Sequence, residues 1–468
     1  MKISKTIVLM SIVLGLISAG TIQAETLTLE QVIKEACTKS DSVKSMNLTL
    51  YKAKEMVREK WANALPTVSG SLMGARTRGR GMGGSSSSTF DTSLNTVPVN
   101  MGMLNAMMGG ITDGMSKYGE SWIYSSSLQI NQPIWTFGKV DEAINVAREF
   151  ELATKSNYAS TMQNIQKSSV DMFYRVVMTQ IAADIAQRSL DRKKELYEFM
   201  DRNFKMGAGA KAQILITLAD YKSAGVALRQ AQQDALTMKM MMNNFLGRPL
   251  NESIELDTTV TLPAVTSTAT TDENSAIEQA YTNRSDLKSL DHYEQANRGG
   301  QKIFNAMYYP TIAATASLGT GGTEAKDLYD WDKHTYTVGL VLAWQFFDGF
   351  ANNARANQYK ADAEKLEIAR STFKKYIEIE IRSAVAECAM ADSNATAFAE
   401  MLAASREAYT LINENFKQGS GQLAELQLAD ERLRQTELGA VAARYRQIKS
   451  RAALIVSTGN DIIKLEDK

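Results

Sequence analysis

Apolar side chains recur with a helical period along two very long stretches of the chain. Residues 139–206 and residues 350–418 contain neither Gly nor Pro, the two residues that most often interrupt a helix. At 1.5 Å per residue, each stretch is long enough for a helix of about 100 Å. In the second stretch, apolar or small residues follow one another in alternating steps of four and three, which predicts a heptad seam against a neighbouring helix. The seam residues are Ile377, Ile381, Ala384, Cys388, Ala391, Ala395, Phe398, Leu402, Ser405, Tyr409, Ile412 and Phe416.

Shorter helical patterns flank both long stretches. Residues 27–64 and 211–246 flank the first, and residues 275–308 and 422–458 flank the second. Each is about half as long as the stretch beside it, so two short helices placed end to end match one long helix. The first long stretch carries a weaker seam, formed by Ile165, Ser169, Met172, Val176, Thr179, Ala183, Ala186 and Leu190.

Ahead of each long helix the pattern changes to a period of two. Apolar and polar residues alternate over residues 121–131 and again over residues 335–346, which predicts strands that are polar on one face only. Weaker alternation follows Pro66 and Pro310. Strands of about 9–11 residues suit a bilayer crossing, and aromatic residues crowd the strand ends as they do at membrane interfaces. The predicted membrane girdle consists of Trp122, Trp135, Phe137, Tyr309, Phe346 and Phe347.

The chain repeats itself once. Residues 203–209 recur as residues 415–421 with five of seven positions identical, and Leu65-Pro66-Thr67 recurs as Tyr309-Pro310-Thr311. Aligning Phe137-Gly138 with Asp348-Gly349 lowers the offset from 244 to 211, which predicts 33 extra residues in the first copy. A period of this length indicates a two-fold duplication rather than a solenoid of short repeats.

These features predict the organisation of the chain. Residues 1–24 combine a basic start, a short apolar core and a small residue at the end, which is typical of an export signal. Residues 25–246 form the first repeat: a helix, two strands around a long loop at 74–119, a long helix and a return helix. A linker at 247–274, the second repeat at 275–458 and a tail at 459–468 follow.

The composition of the chain argues against most catalytic and metal-binding functions. The 52 basic and 52 acidic residues balance, which argues against nucleic acid as a partner. Two Cys and two His leave little material for disulfides, for a Cys-based metal site or for His catalysis. We therefore expect no catalytic residue, no cofactor, no bound metal and no enzyme activity.

Four predicted strands are too few to enclose a pore. In lipid every backbone amide and carbonyl group needs a partner, so a spanning sheet must close on itself. Two chains would supply eight strands and an interior filled by side chains, whereas three would supply twelve and a water-filled bore. The sequence thus predicts a mixed α and β membrane protein, a homotrimer with a twelve-stranded β-barrel and a tube of long helices.

The export signal, the duplicated halves, the two strands before each long helix and the Phe-x-x-Gly turns at 204–207 and 416–419 resemble the TolC family of outer-membrane efflux proteins. The resemblance covers residues 25–460. It implies a trimeric channel-tunnel, with its barrel in the outer membrane and its α-helical barrel in the periplasm. Such a channel is the passive exit duct of a tripartite efflux pump or type I secretion system. It contacts outer-membrane lipid, a periplasmic adaptor protein and an inner-membrane transporter.

The resemblance also implies two kinds of site. An acidic ring narrows the bore six residues past the turn Gly, which gives Glu425 in the second repeat and the uncharged Gln213 in the first. Phe416 stands where the best-known member has Tyr, so the hydroxyl of a gating contact is missing. The adaptor docks on the hairpin tips, which match Lys205, Gly207, Gly209, Lys417, Gly419 and Gly421.

Two alternatives stay open. A trimeric outer-membrane stalk or adhesin is also built from coiled helices on a membrane anchor, although its strands would be expected at one end of the chain. The Met-rich segment within 74–119 either binds a soft metal such as Cu(I) through thioethers or forms a plain outer loop. Whether the transported substrate is a drug, a metal or a protein is not readable from these residues.

Overall fold

The computed structural model describes residues 26–79, 119–207, 210–256 and 272–463, which form long helices and one main β-sheet. The helices are α1 (Leu29–Lys39), α2 (Asp41–Ala62), α3 (Lys139–Lys205), α4 (Lys211–Leu246), α5 (Glu273–Asn283), α6 (Ser285–Ala306), α7 (Ala351–Lys417) and α8 (Leu423–Ser457). The strands are β1 (Thr26–Leu27), β2 (Thr67–Gly79), β3 (Gly119–Trp135), β4 (Glu255–Leu256), β5 (Thr311–Gly322) and β6 (His334–Ala343). The predicted fold class is confirmed, with four long strands and two 67-residue helices.

The chain divides into two compact units. The helical unit comprises Met1–Leu48, Asn157–Leu287 and Thr372–Lys468, and the sheet unit comprises Thr49–Ser156 and Lys288–Ser371. Each unit takes segments from both halves of the sequence, because each repeat contributes the same elements to both. The boundaries predicted for the repeats and the linker remain a prediction.

The sheet unit is built around four antiparallel strands in the order β2-β3-β5-β6. Directly paired residues lie on the same face of a sheet, so the register divides the side chains into two sets. One row across the four strands reads Val68, Ile130, Ala316 and Val338, and the neighbouring row reads Ser69, Gln129, Ser317 and Thr337. β2 continues to Gly79, so residues 74–79 are strand rather than the start of the predicted loop.

A β-bulge changes which face one aromatic residue joins. The pairing of β3 with β5 slips between Pro133, which pairs with Ala313, and Trp135, which pairs with Ile312. Pro133 has no amide hydrogen to donate to the ladder, which is why such residues occur at bulges. The extra residue moves Trp135 onto the apolar face, although strict alternation would place it on the polar face.

Each sheet-to-helix corner uses two consecutive residues with positive φ. They are Phe137 and Gly138 before α3, and Gly349 and Phe350 before α7. The corners and the helix starts at Lys139 and Ala351 therefore align at an offset of 212, not at the predicted 211. The order of Gly and Phe is reversed between the repeats, so the two glycines are separated by one residue less than the corners.

The helices predicted for residues 27–64 and 275–308 are each interrupted. Ser40 and Arg284 adopt extended backbone angles, so α1 is separate from α2 and α5 is separate from α6. At each break a glycine from another part of the chain packs closely against the backbone. A Cβ at Gly247, which ends α4 with φ 70°, would lie 3.0 Å from the carbonyl oxygen of Lys39, and a Cβ at Gly459 would lie 2.8 Å from the backbone nitrogen of Arg284.

The main core of the helical unit gathers α1, α3, α4 and α8. Its fully buried side chains include Leu29, Ile33, Phe173 and Met242. A buried amide ties the end of the chain to this core, because the side-chain oxygen of Gln166 accepts hydrogen bonds from the backbone amides of Ile462 (2.7 Å) and Ile463 (3.1 Å). Burial raises the pKa of the Cys37 thiol in this core to about 11, which keeps it protonated and unreactive.

The predicted seam of α7 lies on a packed face. Ile377 and Ile381 are fully buried against Ile277 and Ala280 of α5. Farther along, the Ser405 hydroxyl lies 3.3 Å from the hydroxyl of Thr436 on α8, and each of the twelve seam residues is buried or half-buried. The seam prediction is therefore confirmed.

Candidate functional site

The ends of the two helical hairpins hold most of the predicted site residues. α3 ends at Lys205 and α4 begins at Lys211, while α7 ends at Lys417 and α8 begins at Leu423. Gly207 and Gly419 both have φ 84°, a left-handed conformation that favours glycine after a helix. Gly209 lies outside the described residues.

Gly421 is required for a different reason from Gly419. A Cβ at Gly421 would lie 2.8 Å from the backbone nitrogen of Phe416 and 2.9 Å from its Cα, which are atoms that cannot move aside. The amides of Ser420 and Gly421 both donate to the carbonyl of Asn415, at 3.0 and 3.2 Å. The second tip is therefore a tight turn closed by its own backbone.

Glu425 and Gln213 occupy equivalent places in the first turns of α8 and α4. Both side chains are exposed in the single chain. The predicted acidic ring needs Glu425 from several copies to converge, and it stays a prediction, as does the adaptor-docking role of the tip residues.

The structure shows a charged contact between the two hairpins, here called the clasp, that the sequence did not predict. Arg192 of α3 donates from Nε to Oδ1 of Asp430 on α8 at 2.5 Å, and its guanidinium lies 5.5 Å from the ring centroid of Tyr409 on α7. Asp430 is only 6 % exposed. Burial and the nearby Asp430 carboxylate raise the pKa of Tyr409 to about 12, so its phenol stays neutral.

Two weaker contacts accompany the clasp nearer the tips. Lys417 of α7 pairs with Glu195 of α3 at 2.8 Å, and the side-chain amide of Gln427 donates to Asp220 of α4 at 2.6 Å. Together with the Arg192–Asp430 pair they surround a cavity of about 380 Å³ between the four helices. Its apolar wall is formed by Leu196, Phe199, Ile216, Phe416 and Leu426.

A second buried carboxylate lies farther from the tips. Glu437 of α8 is 6 % exposed, and its Oε1 lies 3.6 Å from a guanidinium nitrogen of Arg188 on α3 and of Arg406 on α7. The three helices are thus held by charge at two successive levels. These residues are far apart in sequence, and only Tyr409 had been singled out, as a member of the seam.

One face of the sheet is mostly apolar, and the other carries mostly small or polar side chains. On the polar face, the side chains described between residues 67 and 75, 123 and 131, 311 and 321, and 335 and 343 include no charged group. On the other face of β6, Tyr336, Val338, Leu340 and Leu342 are each at least 60 % exposed. An exposed apolar face of this kind fits contact with hydrocarbon.

Five of the six predicted girdle residues lie near the sheet-to-helix corners. Trp135 packs edge-on to Phe137 at 5.8 Å, and Phe137 stacks on Tyr309 at 5.8 Å. Phe346 and Phe347 are 76 % and 68 % exposed just ahead of α7. Trp122 is separate from them, since it lies thirteen positions earlier along β3 and stacks on Tyr124. The girdle assignment itself stays a prediction.

Two further observations bear on the chemistry of the chain. Among the residues that the structure describes, no helix is both long enough and apolar enough to cross a membrane. The same ranges bring together no group of three or more His, Cys, Asp or Glu residues able to hold a metal ion. The Met-rich part of the predicted loop falls on residues 80–118, outside the described ranges.

Several solved structures share this fold at low sequence identity. The outer membrane protein VceC from Vibrio cholerae superimposes with a TM-score of 0.72 at 14 % identity, over 93 % of this chain and 97 % of that one. The Campylobacter jejuni CmeC outer membrane channel gives a TM-score of 0.74 at 14 % identity, over 92 % and 85 %. The open state of the Neisseria gonorrhoeae MtrE outer membrane channel gives 0.69 at 18 % identity, over 93 % and 89 %.

Sequence comparison extends this likeness of fold to a family. No curated protein matches the chain. The model of the outer membrane efflux protein family matches residues 32–248 and 276–460, which is most of the sequence. The match confirms the resemblance that the repeats and turns predicted, and the chain belongs to the outer membrane efflux protein family.

Proposed function

We propose that the chain is the subunit of a homotrimeric outer-membrane channel that serves as the passive exit duct of a tripartite efflux pump or a type I secretion system. The observation that carries this proposal is the sheet. It has one mostly apolar face and one polar face without charge over the ranges given above, and among the described residues its outer strands β2 and β6 each keep an unpaired edge. A sheet with these properties suits a pore wall shared between copies.

Closure of that sheet follows from the physics of the bilayer. Unpaired strand edges are not tolerated in hydrocarbon, so β6 of one copy pairs with β2 of the next. Three copies supply twelve strands, whose apolar faces meet lipid and whose Ser, Thr, Gln and Asn side chains line a neutral, wetted bore. The aromatic residues at the corners then lie at the membrane interface.

The helical hairpins supply the rest of the proposed duct. Six hairpins from three copies form the periplasmic tube, and their tips contact a periplasmic adaptor that links the duct to an inner-membrane transporter. Three Glu425 side chains form the narrowest, negatively charged level, next to the uncharged level of Gln213. We further propose that residues 1–24 direct export and that residues 247–274 join two structural repeats, 25–246 and 275–458.

The experiment is single-channel recording of the full chain in planar bilayers. We expect steady conductance that trivalent cations block from the periplasmic side, because three converging carboxylates concentrate negative potential. Glu425→Gln should raise the half-blocking concentration by about tenfold or more, since tenfold corresponds to about 1.4 kcal/mol. Glu198→Gln, an exposed carboxylate on α3, is the matched control and should leave the block unchanged.

Two outcomes would contradict parts of the proposal. A folded trimer that never conducts would exclude the duct and favour the stalk or adhesin. Conductance whose cation block is the same in the wild-type chain and in Glu425→Gln would keep the duct but remove Glu425 from its constriction.

A further inference from the structure

The cavity between the four helices near the hairpin tips is not used by the proposed duct. Its volume is about 380 Å³, within the range of about 300–1,000 Å³ that is usual for the binding sites of small molecules. Residues of α3 and α4 in the first hairpin and of α7 and α8 in the second all line it. Spaces between the helices of a bundle are a common place for ligand sites.

Part of the lining contains two buried polar atoms without partners. The contact between Arg192 and Asp430 uses only Nε of the guanidinium and Oδ1 of the carboxylate. Among the described residues, Arg192 Nη2 and Asp430 Oδ2 are buried and have no hydrogen-bond partner, and both residues line the cavity. Buried polar atoms are costly to leave unsatisfied, so a partner for this pair of atoms is expected.

Another part of the wall is apolar. The rings of Phe199 on α3 and Phe416 on α7 lie 6.0 Å apart between centroids, at an angle of 59°. Leu196, Ile216 and Leu426 continue this surface, and Leu426 is only 2 % exposed. Water can satisfy the two polar atoms but gains nothing from such a wall, so the lining as a whole suits an amphipathic molecule.

The charges around the two unpartnered atoms favour a neutral polar group. A cation placed between them is repelled by the guanidinium of Arg192, and an anion is repelled by the carboxylate of Asp430. A hydroxyl group both donates and accepts hydrogen bonds. It can therefore donate to Asp430 Oδ2 and accept from Arg192 Nη2, and hydrogen bonds to charged groups are stronger than those between neutral groups.

We propose that this cavity binds a small neutral aromatic alcohol or phenol, with its hydroxyl group on the clasp and its ring against Phe199 and Phe416. The volume admits a bicyclic ring system, since an engineered cavity of about 150 Å³ holds benzene. The site lies within one copy of the chain, so it requires neither the oligomer nor conduction. Because both hairpins line the cavity, the bound molecule stabilises the contact between them.

Ile216 marks the side on which the cavity opens to the surface. It lines the cavity and is nevertheless 51 % exposed, so a ligand can enter beside α4. A larger side chain at this position fills the entrance without replacing a fully buried residue. The equivalent position of the second repeat, at an offset of 212, is Leu428 on α8, which is 71 % exposed and does not line the cavity.

Titration of the full chain in lipid nanodiscs with 2-naphthol, followed by calorimetry, tests the proposal. Nanodiscs without protein correct for partition into lipid. We expect saturable binding, and naphthalene, which lacks the hydroxyl group, should bind about tenfold or more weakly, which corresponds to about 1.4 kcal/mol. The anion 2-naphthoate and the cation of 2-naphthylmethylamine should also bind more weakly than 2-naphthol. Tighter binding of either ion would overturn the neutral head group.

Two matched variants locate the site. Ile216→Trp should weaken the binding of 2-naphthol by about tenfold or more, which corresponds to about 1.4 kcal/mol, whereas Leu428→Trp should keep the wild-type affinity. Equal affinities in the two variants would overturn the assignment. The absence of saturable binding to the wild-type chain would mean that the cavity holds only water, and it would overturn the proposal as well.

Hydrogen exchange of the unmodified chain provides a measurement that does not depend on the folding of a variant. 2-Naphthol should slow the exchange of backbone amides at the start of α8, because a molecule bound to both hairpins opposes their separation. Exchange that is unchanged there would contradict the site. Channels that conduct but do not bind 2-naphthol would overturn this inference and leave the duct intact, whereas a chain that binds it but never conducts would do the reverse.

Discussion

Individual glycines occupy the hairpin turns and pack against the breaks in the flanking helices. Gly207 and Gly419 supply the left-handed backbone that ends α3 and α7, whereas Gly421 is needed because Phe416 leaves no space for a side chain. Gly247 and Gly459 play the same steric part at the breaks beside Ser40 and Arg284. A side chain at any of these five positions is therefore expected to strain the backbone or to crowd a neighbouring segment.

A single carboxylate should make the stability of the helical unit depend on pH. Glu35 of α1 is paired with the guanidinium of Arg248, whose Nε donates to Oε1 at 2.9 Å, and with Lys39. Burial by itself would raise the pKa of Glu35, but the hydrogen bonds from Arg248 and Lys39 outweigh it and hold the pKa below the ordinary 4.5. The pair therefore stabilises the folded state above pH 4.5, and this contribution is lost as the pH falls through the lowered pKa.

Glu35→Gln is expected to lower the free energy of unfolding at pH 7 by about 1.5–3 kcal/mol, the usual contribution of hydrogen bonds to charged groups. The difference from the wild-type chain should vanish at a pH low enough to protonate Glu35. Denaturant unfolding at several pH values measures both effects. Glu30→Gln is the control, since Glu30 and Lys34 are each 55 % exposed and such pairs contribute only about 0–1 kcal/mol. A loss that is the same at every pH would contradict the assignment.

Between helices, charge pairs and apolar seams have separate roles. The packed seam of α7 runs from Ile377 to Phe416 and sets which face meets its neighbours, while Arg192–Asp430 and the group around Glu437 connect the helices at two levels. Buried pairs of this kind contribute little net stability, but breaking one leaves a charge without its partner. The clasp is therefore expected to matter most when only one of its members is changed.

The clasp can be measured by a double-mutant cycle. Asp430→Asn and Arg192→Met are each expected to destabilise the contact between α3 and α8 by about 3–5 kcal/mol, and the double variant by clearly less than their sum. Hydrogen exchange of the backbone amides at the start of α8 reports this local opening. The exposed pair Lys194 and Glu198 provides a matched cycle with a coupling near zero. Additive effects at Arg192 and Asp430 would show that the two residues act independently.

The sequence predicted those elements whose signal is local. Alternation revealed both faces of the sheet, and the regular steps from Ile377 to Phe416 revealed the packed seam of α7. Alternation alone does not predict the face on which Trp135 lies, because a bulge at Pro133 moves this residue to the apolar face. The breaks at Ser40 and Arg284 lie against Gly247 and Gly459, which are distant in sequence, so a helical period alone does not predict them.

Contacts between the repeats were the least predictable part of the candidate site. Arg192 and Asp430 are 238 residues apart, and neither stands out among neighbouring charges on its own helix.

For the chain as a whole, the division of the sheet into two faces implies where charge is tolerated. Leu340 and Thr337 lie on opposite faces of β6, three positions apart, and both are exposed in the single chain. Leu340→Lys should lower the stability of the protein in lipid by about 2–4 kcal/mol if the residue lies near the bilayer midplane. Thr337→Lys should fold and insert normally, because its side chain meets water. Insertion into lipid vesicles, followed by protease protection, measures the difference. Equal insertion of the two variants would contradict the assignment of the faces.

The two hairpin tips have diverged since the duplication. At equivalent positions the first tip has Met206 and Leu215 where the second has Gln418 and Gln427, whereas Phe204 and Ile216 match the apolar Phe416 and Leu428. A ring built from identical half-length chains would present the same tip at every hairpin. In the proposed ring of three copies, a tip with Met206 and Leu215 alternates with a tip with Gln418 and Gln427, so the six tips have three-fold symmetry. A partner that binds all the tips of this ring can therefore adopt three equivalent orientations rather than six.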